Sequence, residues 1–267
     1  MEFVKYQGTG NDFVLIDDRS ETFPADDQAF VAHLCHRRFG IGADGLILLR
    51  TDPDYDFRMI YFNADGAEGS MCGNGGRCIV RFAHDLGLFE GETRFRAVDG
   101  EHRAEVRGDD IFLRMGDVSH VETHPNALWG DETPSVSYFL QTGSPHVVTF
   151  TDALDSLDVV GEGRAIRYAK PYQPGGTNVN FTEVLGDNRL FVRTYERGVE
   201  DETYSCGTGV TAAALATRRQ FGMAGPVFIQ TRGGELRIAF DELPDGSFTN
   251  VYLIGPAKRV FSGQLIV

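Results

Sequence analysis

A short motif, Cys-Gly-x-Gly, occurs twice in this chain of 267 residues, at Cys72 and again at Cys206. The two cysteines are 206 − 72 = 134 positions apart, about half of the chain length. Each motif follows a predicted strand and a turn-forming loop, and each precedes a segment with apolar or small residues at helical spacing. This repeated order of strand, loop, cysteine motif and helix predicts two similar halves, each of which presents one thiol.

A cysteine at the beginning of a helix has altered acidity. The first N–H groups of a helix have no intrahelical acceptor and carry a partial positive charge, which stabilises a nearby thiolate. At a reference pKa of about 8.5, roughly 3% of a thiol is ionised at pH 7. A decrease of about 1.5 pKa units, or about 2 kcal/mol, ionises about half of it, and a helix N-terminus can supply that amount at its upper range. Cys72 and Cys206 are therefore candidate acid and base groups.

The order of the predicted elements divides the chain into two domains. Residues 1–115 form the predicted first half, which contains Cys72, and residues 116–255 form the second half, which contains Cys206. A final predicted strand in residues 256–267 rejoins the first half. Within the first half, the continuous apolar run Leu46–Leu49 predicts a buried strand.

The acidic composition disfavours two classes of partner. With 25 Lys and Arg residues against 39 Asp and Glu residues, the formal net charge is −14 at pH 7, which disfavours nucleic acids and anionic membrane surfaces. No apolar run approaches the ~18 residues of a membrane span. The N-terminus lacks the basic and then apolar pattern of a signal peptide, so we expect a cytoplasmic protein whose thiols stay reduced.

The other cysteines and the glycine runs favour neither a metal nor a nucleotide. The four cysteines show no Cys-x-x-Cys spacing, so zinc is disfavoured, and we expect Cys35 and Cys78 to be small buried hydrophobes. Residues Gly207–Ala212 formally satisfy the dinucleotide fingerprint. However, the glycines do not directly follow a hydrophobic strand, and no acidic residue ends a second strand about 20 positions later. These patterns therefore predict neither a zinc site nor a dinucleotide site.

Two thiols in similar halves predict a particular chemistry. If the halves face each other, one thiolate removes a proton from one side of a carbon while the other thiol returns a proton to the opposite side, which inverts the centre. The helix N-termini would bind a carboxylate beside that carbon and stabilise the developing charge. One cysteine must be ionised while the other is protonated, so we expect a coupled titration. The polar, glycine-rich flanks of Cys72 and Cys206 favour this chemistry over burial in a core.

Five motifs along the chain occur in the order of one enzyme family. They are Gly8–Phe13, Phe39–Asp44, Met71–Cys78, Gly176–Asn180, and Glu196–Glu200 with Ser205–Gly209. Together they resemble the diaminopimelate epimerase family over essentially the whole chain. The resemblance implies an α/β fold of two pseudo-symmetric domains, each a sheet wrapped around a central helix, with the active site in the cleft between them. It also implies a homodimer and neither pyridoxal phosphate nor a metal.

The resemblance implies an isomerase that interconverts the LL and meso forms of 2,6-diaminopimelate, a small molecule, in lysine and peptidoglycan precursor biosynthesis. In this reading Cys72 and Cys206 are the catalytic acid/base pair, and His146 and Glu196 resemble the catalytic pair that supports the reacting amino group. Arg197 and its neighbouring asparagines would hold the distal end of the substrate. The implied substrate contacts are Asn11, Asn63, Gly73, Asn74, Asn178, Glu196, Arg197, Gly207 and Thr208.

The sequence departs from many family members at two positions. Gly45 stands where a glutamine often follows the Gly-Ile-Gly-x-Asp run, and Ser144 stands where an asparagine often precedes Pro-His. Both positions belong to substrate-facing loops of the family, so we expect these two contacts to differ. We expect a lineage variant that catalyses the same reaction.

Alternatives remain open at this point. Proline and hydroxyproline racemases and epimerases resemble the chain at both cysteines, but they carry His where Asn74 stands and lack the run of distal-end asparagines. A duplicated fold that serves only as a binding module would leave Cys72 and Cys206 with ordinary thiol reactivity. His146, taken by itself, is predicted to lie at a turn beside Pro145 and is as consistent with a plain turn residue as with a functional one.

Overall fold

The computed structural model of the protein describes residues 1–125 and 136–265. Residues 126–135 of the predicted second half and the last two residues of the predicted segment 256–267 lie outside the described residues. The chain divides into two compact units, Met1–Leu113 with Gly255–Val267 and Arg114–Ile254. We refer to them as unit 1 and unit 2.

The elements follow one another along the chain. Unit 1 begins with β1 (Glu2–Gly8), β2 (Asn11–Asp17), α1 (Gln28–Cys35), β3 (Gly45–Arg50), β4 (Phe57–Asn63), α2 (Gly73–Asp85), β5 (Glu92–Ala97), β6 (Gly100–Arg107) and β7 (Asp110–Arg114). Unit 2 contains β8 (Val121–Pro125), β9 (Val136–Gln141), β10 (Pro145–Phe150), α3 (Val159–Arg167), β11 (Asn178–Gly186), β12 (Arg189–Glu196), β13 (Asp201–Thr203), α4 (Gly207–Phe221), β14 (Val227–Thr231), β15 (Gly234–Glu242) and β16 (Phe248–Pro256), with 3₁₀ turns at Leu154–Ser156 and Lys170–Tyr172. The chain returns to unit 1 with β17 (Lys258–Gln264). The unit boundaries fall inside β7 and β16.

The two units have the same pattern of strand pairing. In unit 1 the order is β17, β1, β2, β3, β4, β5, β6, β7, and the successive pairs are antiparallel, antiparallel, parallel, antiparallel, parallel, antiparallel and antiparallel. In unit 2 the order is β8, β9, β10, β11, β12, β14, β15, β16, with an identical succession of directions. The repeat that the two cysteine motifs predicted is therefore confirmed at the level of topology.

A helix occupies the centre of each unit. In unit 1, α2 packs against β1, β2, β3, β4 and β6, and in unit 2, α4 packs against β9, β10, β11, β12, β14 and β15. Small residues permit this close approach on several sides. A β carbon at Gly75 would lie 3.2 Å from the Cδ1 of Ile47, and one at Gly76 would lie 3.0 Å from the Cδ2 of Leu113. In α4, four fully buried alanines permit the same close approach of the helix to the strands: Ala212, Ala213, Ala214 and Ala216.

Each unit has one more helix, α1 in unit 1 and α3 in unit 2, which covers the face of the sheet opposite the central helix. A parallel strand pair requires a crossover connection, and α1 and α3 lie in the connections of β2 to β3 and of β10 to β11. Val31 and Leu34 of α1 pack with Leu46 and Leu48 of β3 in one hydrophobic cluster. Because α2 lies on the opposite face, residues Leu46–Leu49 are fully buried on both sides. The predicted buried strand is confirmed. None of the helices in the described part of the chain combines the length and the apolarity needed to cross a membrane.

Candidate active site

Both cysteines of the repeated motif stand directly before a central helix. Cys72 has extended backbone angles (φ −99°, ψ 128°), and Gly73 is the first residue of α2. Cys206 (φ −123°, ψ 114°) precedes Gly207 of α4 in the same way. The first N–H groups of each helix have no intrahelical acceptor, and the positive end of each helix dipole lies beside the thiol. The predicted location of both thiols at helix starts is confirmed.

Asn11 lies against the thiol of unit 1. It begins β2, and its Oδ1 lies 3.6 Å from the Sγ of Cys72 and accepts a hydrogen bond from the Nδ2 of Asn74 at 3.3 Å. A carbonyl oxygen can only accept a hydrogen bond, so this contact fits a protonated Cys72. Three of the predicted site residues are thus brought together at the start of α2.

Carboxylates and cations on the far side of Asn11 fix its orientation. Asp44 accepts hydrogen bonds from the Nδ2 of Asn11 at 2.6 Å and from Arg37 at 2.6 Å. Asp12 forms ion pairs with Arg37 at 2.7 Å and with Lys5 at 2.6 Å. Although burial raises it, the hydrogen bonds from Arg37 and Lys5 hold the pKa of Asp12 down at about 2. Two carboxylates and two cations therefore form a charge-balanced cluster.

Residues near the end of β4 occupy the space beside Gly45, which has no side chain. Gly45 and Asn63 are register partners on β3 and β4, and Asn63 is exposed. A β carbon at Gly45 would stand 2.5 Å from the carbonyl oxygen of Phe62 and 2.6 Å from the Cε2 of Tyr61. The ring of Tyr61 therefore fills the space that a side chain at position 45 would need.

A series of hydrogen bonds connects the thiol of unit 2 to its sheet. The Sγ of Cys206 lies 3.4 Å from the Oγ1 of Thr208, and that hydroxyl lies 2.8 Å from the Nε2 of His146. The Nδ1 of His146 lies 3.0 Å from the Nδ2 of Asn180, whose Oδ1 accepts from Thr194 at 3.0 Å. Because Asn180 donates to Nδ1, the network assigns the ring proton to Nε2, which donates to the Thr208 hydroxyl. Thr208 can then donate onward to Cys206.

His146 does not lie at a turn, and that prediction was wrong. It is the second residue of β10 and pairs with Asn178 of β11, so parallel pairing places it within the sheet, where it is fully buried. Burial and then the charge of Arg197 lower the pKa of His146 to about 3. The ring is therefore neutral near pH 7, where it serves as a fixed Nε2–H donor to Thr208.

Asn178 joins separate segments of unit 2. Its Nδ2 donates to the Oγ of Ser144 at 3.3 Å, and its Oδ1 accepts the backbone N–H of Arg197 at 2.8 Å. The Oγ of Ser144 also lies 2.9 Å from the Nε2 of His146. The serine at this position thus adds a hydroxyl group to the network around the histidine.

The residues at the end of β12 complete the set in unit 2. Glu196 is the last residue of this strand and is half-buried, whereas Arg197 is exposed. The Nη1 of Arg197 donates to the carbonyl of Gly175 at 3.4 Å. An exposed guanidinium is suited to bidentate recognition of a carboxylate.

Two residues that the sequence patterns did not indicate contribute to the hydrogen-bond networks beside Cys72 and Cys206. Asp44 orients Asn11, and Asn180 sets the tautomer of His146. Each is the last residue of a motif that carries the family resemblance, so its place in a motif was the available signal. The burial of Cys206, which is 8% exposed, also exceeds what its polar flanks predicted, whereas Cys72 is half-buried. The predicted catalytic and substrate-binding roles stay predictions.

The remaining cysteines belong to the core. Cys35 is 2% exposed and Cys78 is fully buried, which confirms the expectation for both. Burial raises the pKa of Cys35 to about 11 and that of Cys78 to about 12. In residues 1–125 and 136–265, no group of three or more His, Cys, Asp or Glu side chains is arranged to hold a metal ion.

Comparison with known proteins identifies relatives of the whole chain. The profile of the family described as diaminopimelate epimerase matches residues 3–121 and 138–260. A diaminopimelate epimerase of Flavobacterium psychrophilum is 47% identical over 263 residues, which are 98% of this chain and 98% of the relative.

Two solved structures share the fold at low sequence identity. A phenazine biosynthesis protein of the PhzF family from Bacillus anthracis has a TM-score of 0.77 at 13% identity and covers 100% of this chain and 99% of its own. A hydroxyproline epimerase of Agrobacterium vitis, solved with trans-4-hydroxy-L-proline, has a TM-score of 0.71 at 16% identity and covers 99% and 90%. At these identities the similarity establishes the fold alone.

Proposed function

The chain belongs to the diaminopimelate epimerase family, and we propose that it interconverts LL- and meso-2,6-diaminopimelate by proton transfer at one α-carbon, with no cofactor. The observation that carries the proposal is the duplicated unit in which a cysteine directly precedes a central helix. Family membership supports the choice of substrate, and the two cysteines at helix starts support the proposed proton-transfer chemistry. Cys72 and Cys206 are the proposed base and acid.

The proposed reaction uses the two thiols as one system. The thiolate of one cysteine removes the α-proton and becomes a thiol, while the other thiol delivers its proton to the opposite side of the carbon and becomes a thiolate. The reverse reaction uses the same groups with their roles exchanged. Each cysteine must therefore be able to ionise, and neither form can be strongly preferred at either site.

The helix starts are the proposed binding site of the reacting carboxylate. The N–H groups at the helix starts, those of Gly73 and Asn74 in α2 and of Gly207 and Thr208 in α4, present positive partial charge to an anion. Negative charge spreads onto this carboxylate when the α-proton leaves, so the same donors stabilise the transition state more than the substrate.

The other predicted residues have distinct proposed roles. Asn11 and Asn63 contact the substrate from unit 1, and Asn178 supports Arg197, whose guanidinium pairs with the distal carboxylate. Glu196 supports the reacting amino group. Because His146 is buried and neutral, we assign it a positioning role, in which its Nε2–H orients the Thr208 hydroxyl toward Cys206.

We also propose that the protein acts in the cytoplasm as a homodimer. The mechanism requires Cys72 and Cys206 as thiol and thiolate, and these forms persist in a reducing compartment. The homodimer rests on the family resemblance. Light scattering coupled to size-exclusion chromatography tests it, and a monomeric mass at working concentration contradicts it.

Incubation of the reduced protein with LL-diaminopimelate in deuterated water, with no cofactor added, tests the function. Proton NMR follows the α-proton signal and chromatography separates the stereoisomers. Deuterium at one α-carbon together with meso product establishes cofactor-independent epimerisation. Exchange with proline or hydroxyproline but not with diaminopimelate favours the racemase alternative, although nothing specific favours that alternative beyond the shared fold. No exchange with any of these amino acids contradicts the proposal.

A further inference from the structure

A fully buried arginine lies close to the start of α2 in unit 1. Arg77 is five positions after Cys72, and its side chain runs back toward the helix N-terminus, as helical side chains do. Its Nη2 donates to the Oγ1 of Thr9 at 3.0 Å, and its Nη1 reaches the carbonyl of Gly73 at 3.5 Å. Its Nε finds no acceptor, and no carboxylate forms an ion pair with it, among the residues that the structure describes.

Because Arg77 is buried without a carboxylate partner in the described part of the chain, no negative charge there balances its guanidinium. Burial lowers the pKa of Arg77 to about 10, so the guanidinium stays charged at neutral pH. Cys78 is its other near neighbour, and burial raises the pKa of that thiol to about 12. Cys78 is thus neutral and cannot balance the charge. A Cys72 thiolate would interact favourably with Arg77, and this interaction is reciprocal.

The other charged groups around this helix start cancel one another. Asp12 and Asp44 carry two negative charges, and Lys5 and Arg37 carry two positive charges, in the cluster behind Asn11. At the opposite end of α2, Asp85 accepts a hydrogen bond from Tyr6 of β1 at 2.5 Å. Arg77 is thus a buried cation near Cys72 whose charge the cluster behind Asn11 does not balance.

The contact with Asn11 acts in the opposite direction. Its Oδ1 lies 3.6 Å from the Sγ of Cys72 and can accept a proton from a thiol but offers nothing to a thiolate. A hydrogen bond to the neutral form raises the pKa of the acid that donates it. Without a compensating cation, the Asn11 carbonyl would favour the protonated form of Cys72.

The second thiol has a different environment. Five positions after Cys206 stands Thr211, a neutral residue whose hydroxyl donates to the carbonyl of Gly207 at 2.9 Å. The Thr208 hydroxyl, 3.4 Å from the Sγ of Cys206, can donate to a thiolate. Arg197, whose charge acts on His146 of this cluster, has an exposed side chain that is screened by solvent. Ionisation of Cys206 is thus supported by a hydroxyl donor.

We propose that Arg77 is a positioning residue whose buried charge stabilises the thiolate of Cys72 and offsets the Asn11 carbonyl, so that both cysteines can exchange roles. This proposal rests on the proposed function, because the ionisation of Cys72 serves the proposed epimerisation. Arg77 also holds the turn that presents Asn11, through its hydrogen bond to Thr9. A purely structural role would require the hydrogen bond but not the charge.

The test measures the acidity of Cys72 directly. In a Cys206→Ala background, the rate of alkylation of Cys72 by iodoacetamide is followed against pH by mass spectrometry. Arg77→Met and Arg77→Gln remove the charge, and we expect each to raise the pH of half-maximal rate by about one unit. Arg81→Met is the matched control, because Arg81 lies one turn further along α2 and donates to the carbonyl of Gly108 at the surface. We expect no shift for this control.

The experiment does not require epimerase activity, so its result is independent of the substrate assignment. Folded Arg77→Met or Arg77→Gln protein, verified by circular dichroism, with an unchanged pH of half-maximal rate overturns the proposal. If neither variant folds, the parent Cys206→Ala protein is measured at low and high salt. A buried cation predicts little change, whereas a strong salt dependence shows that exposed charges govern Cys72 and overturns the proposal.

Discussion

Gly209 approaches Asn180 so closely that a β carbon at residue 209 would stand 2.3 Å from the Oδ1 of Asn180. The same β carbon would stand 3.3 Å from the Cβ of Cys206. The second glycine of the cysteine motif is therefore required by a contact between α4 and β11. Through Asn180 this contact also determines the position of His146.

Gly209→Ala should displace Asn180 and leave His146 without its hydrogen bond on Nδ1. The loss of one buried hydrogen bond in this network is expected to reduce turnover by about tenfold or more. Turnover with saturating LL-diaminopimelate is the measurement. Gly116→Ala is the control, since a β carbon there meets no atom within 4 Å. Equal turnover of the two variants contradicts the proposed role of the network.

Replacement of either catalytic cysteine should abolish epimerisation and preserve the fold. Cys72→Ala and Cys206→Ala each remove one proton carrier from a reaction that needs two, so we expect a loss of at least about 10³-fold in turnover. Cys35→Ala is the control: it leaves a small cavity in the core and should lower stability without a comparable loss of turnover. Normal turnover of Cys72→Ala would rule out the two-base mechanism.

His146 should make the free energy of unfolding depend on pH. Its pKa is lowered to about 3 in the folded protein, against about 6.5 in the unfolded chain. Between these values the unfolded chain binds a proton that the folded protein does not. Stability from this residue is therefore complete above about pH 6.5 and falls as the pH decreases toward 3, by up to about 1.4 kcal/mol per pH unit.

Urea unfolding at several values between pH 5 and pH 7 measures this dependence. We expect His146→Gln to have a shallower pH dependence than the natural chain, whatever its stability at pH 7. His120→Gln is the control, since His120 is exposed, and it should leave the slope unchanged. The same slope in all three proteins would show that His146 is not buried in its neutral form.

Arg197→Ala should weaken substrate binding. Loss of a guanidinium and carboxylate pair is expected to raise KM by about 10- to 100-fold, with a smaller effect on kcat, because the distal carboxylate does not react. Arg189→Ala is the control, since this residue begins strand β12, which ends just before Arg197, and forms an exposed ion pair with Glu235. An unchanged KM for Arg197→Ala removes this residue from the binding site.

The duplication could be predicted from the sequence alone, because the signals that specify it are local. Glycine-rich loops, apolar periodicity and the Cys-Gly-x-Gly motifs predicted strand, loop and helix in both halves, and the position of Cys72 and Cys206 before helices followed from them. The continuous apolar run of β3 predicted a buried strand for the same reason, and the structure buries it. The family resemblance then supplied the reaction and the candidate residues.

The tertiary structure alone decided what surrounds each thiol. His146 lies inside a sheet because of parallel pairing between β10 and β11, which are separated by 27 residues from Thr151 to Thr177 in the sequence. The role of Asp44 in holding Asn11 and the burial of Arg77 near Cys72 also depend on segments that are far apart along the chain. Contacts between distant segments determine which groups are buried, and burial determines their acidity. A local sequence pattern does not predict such contacts.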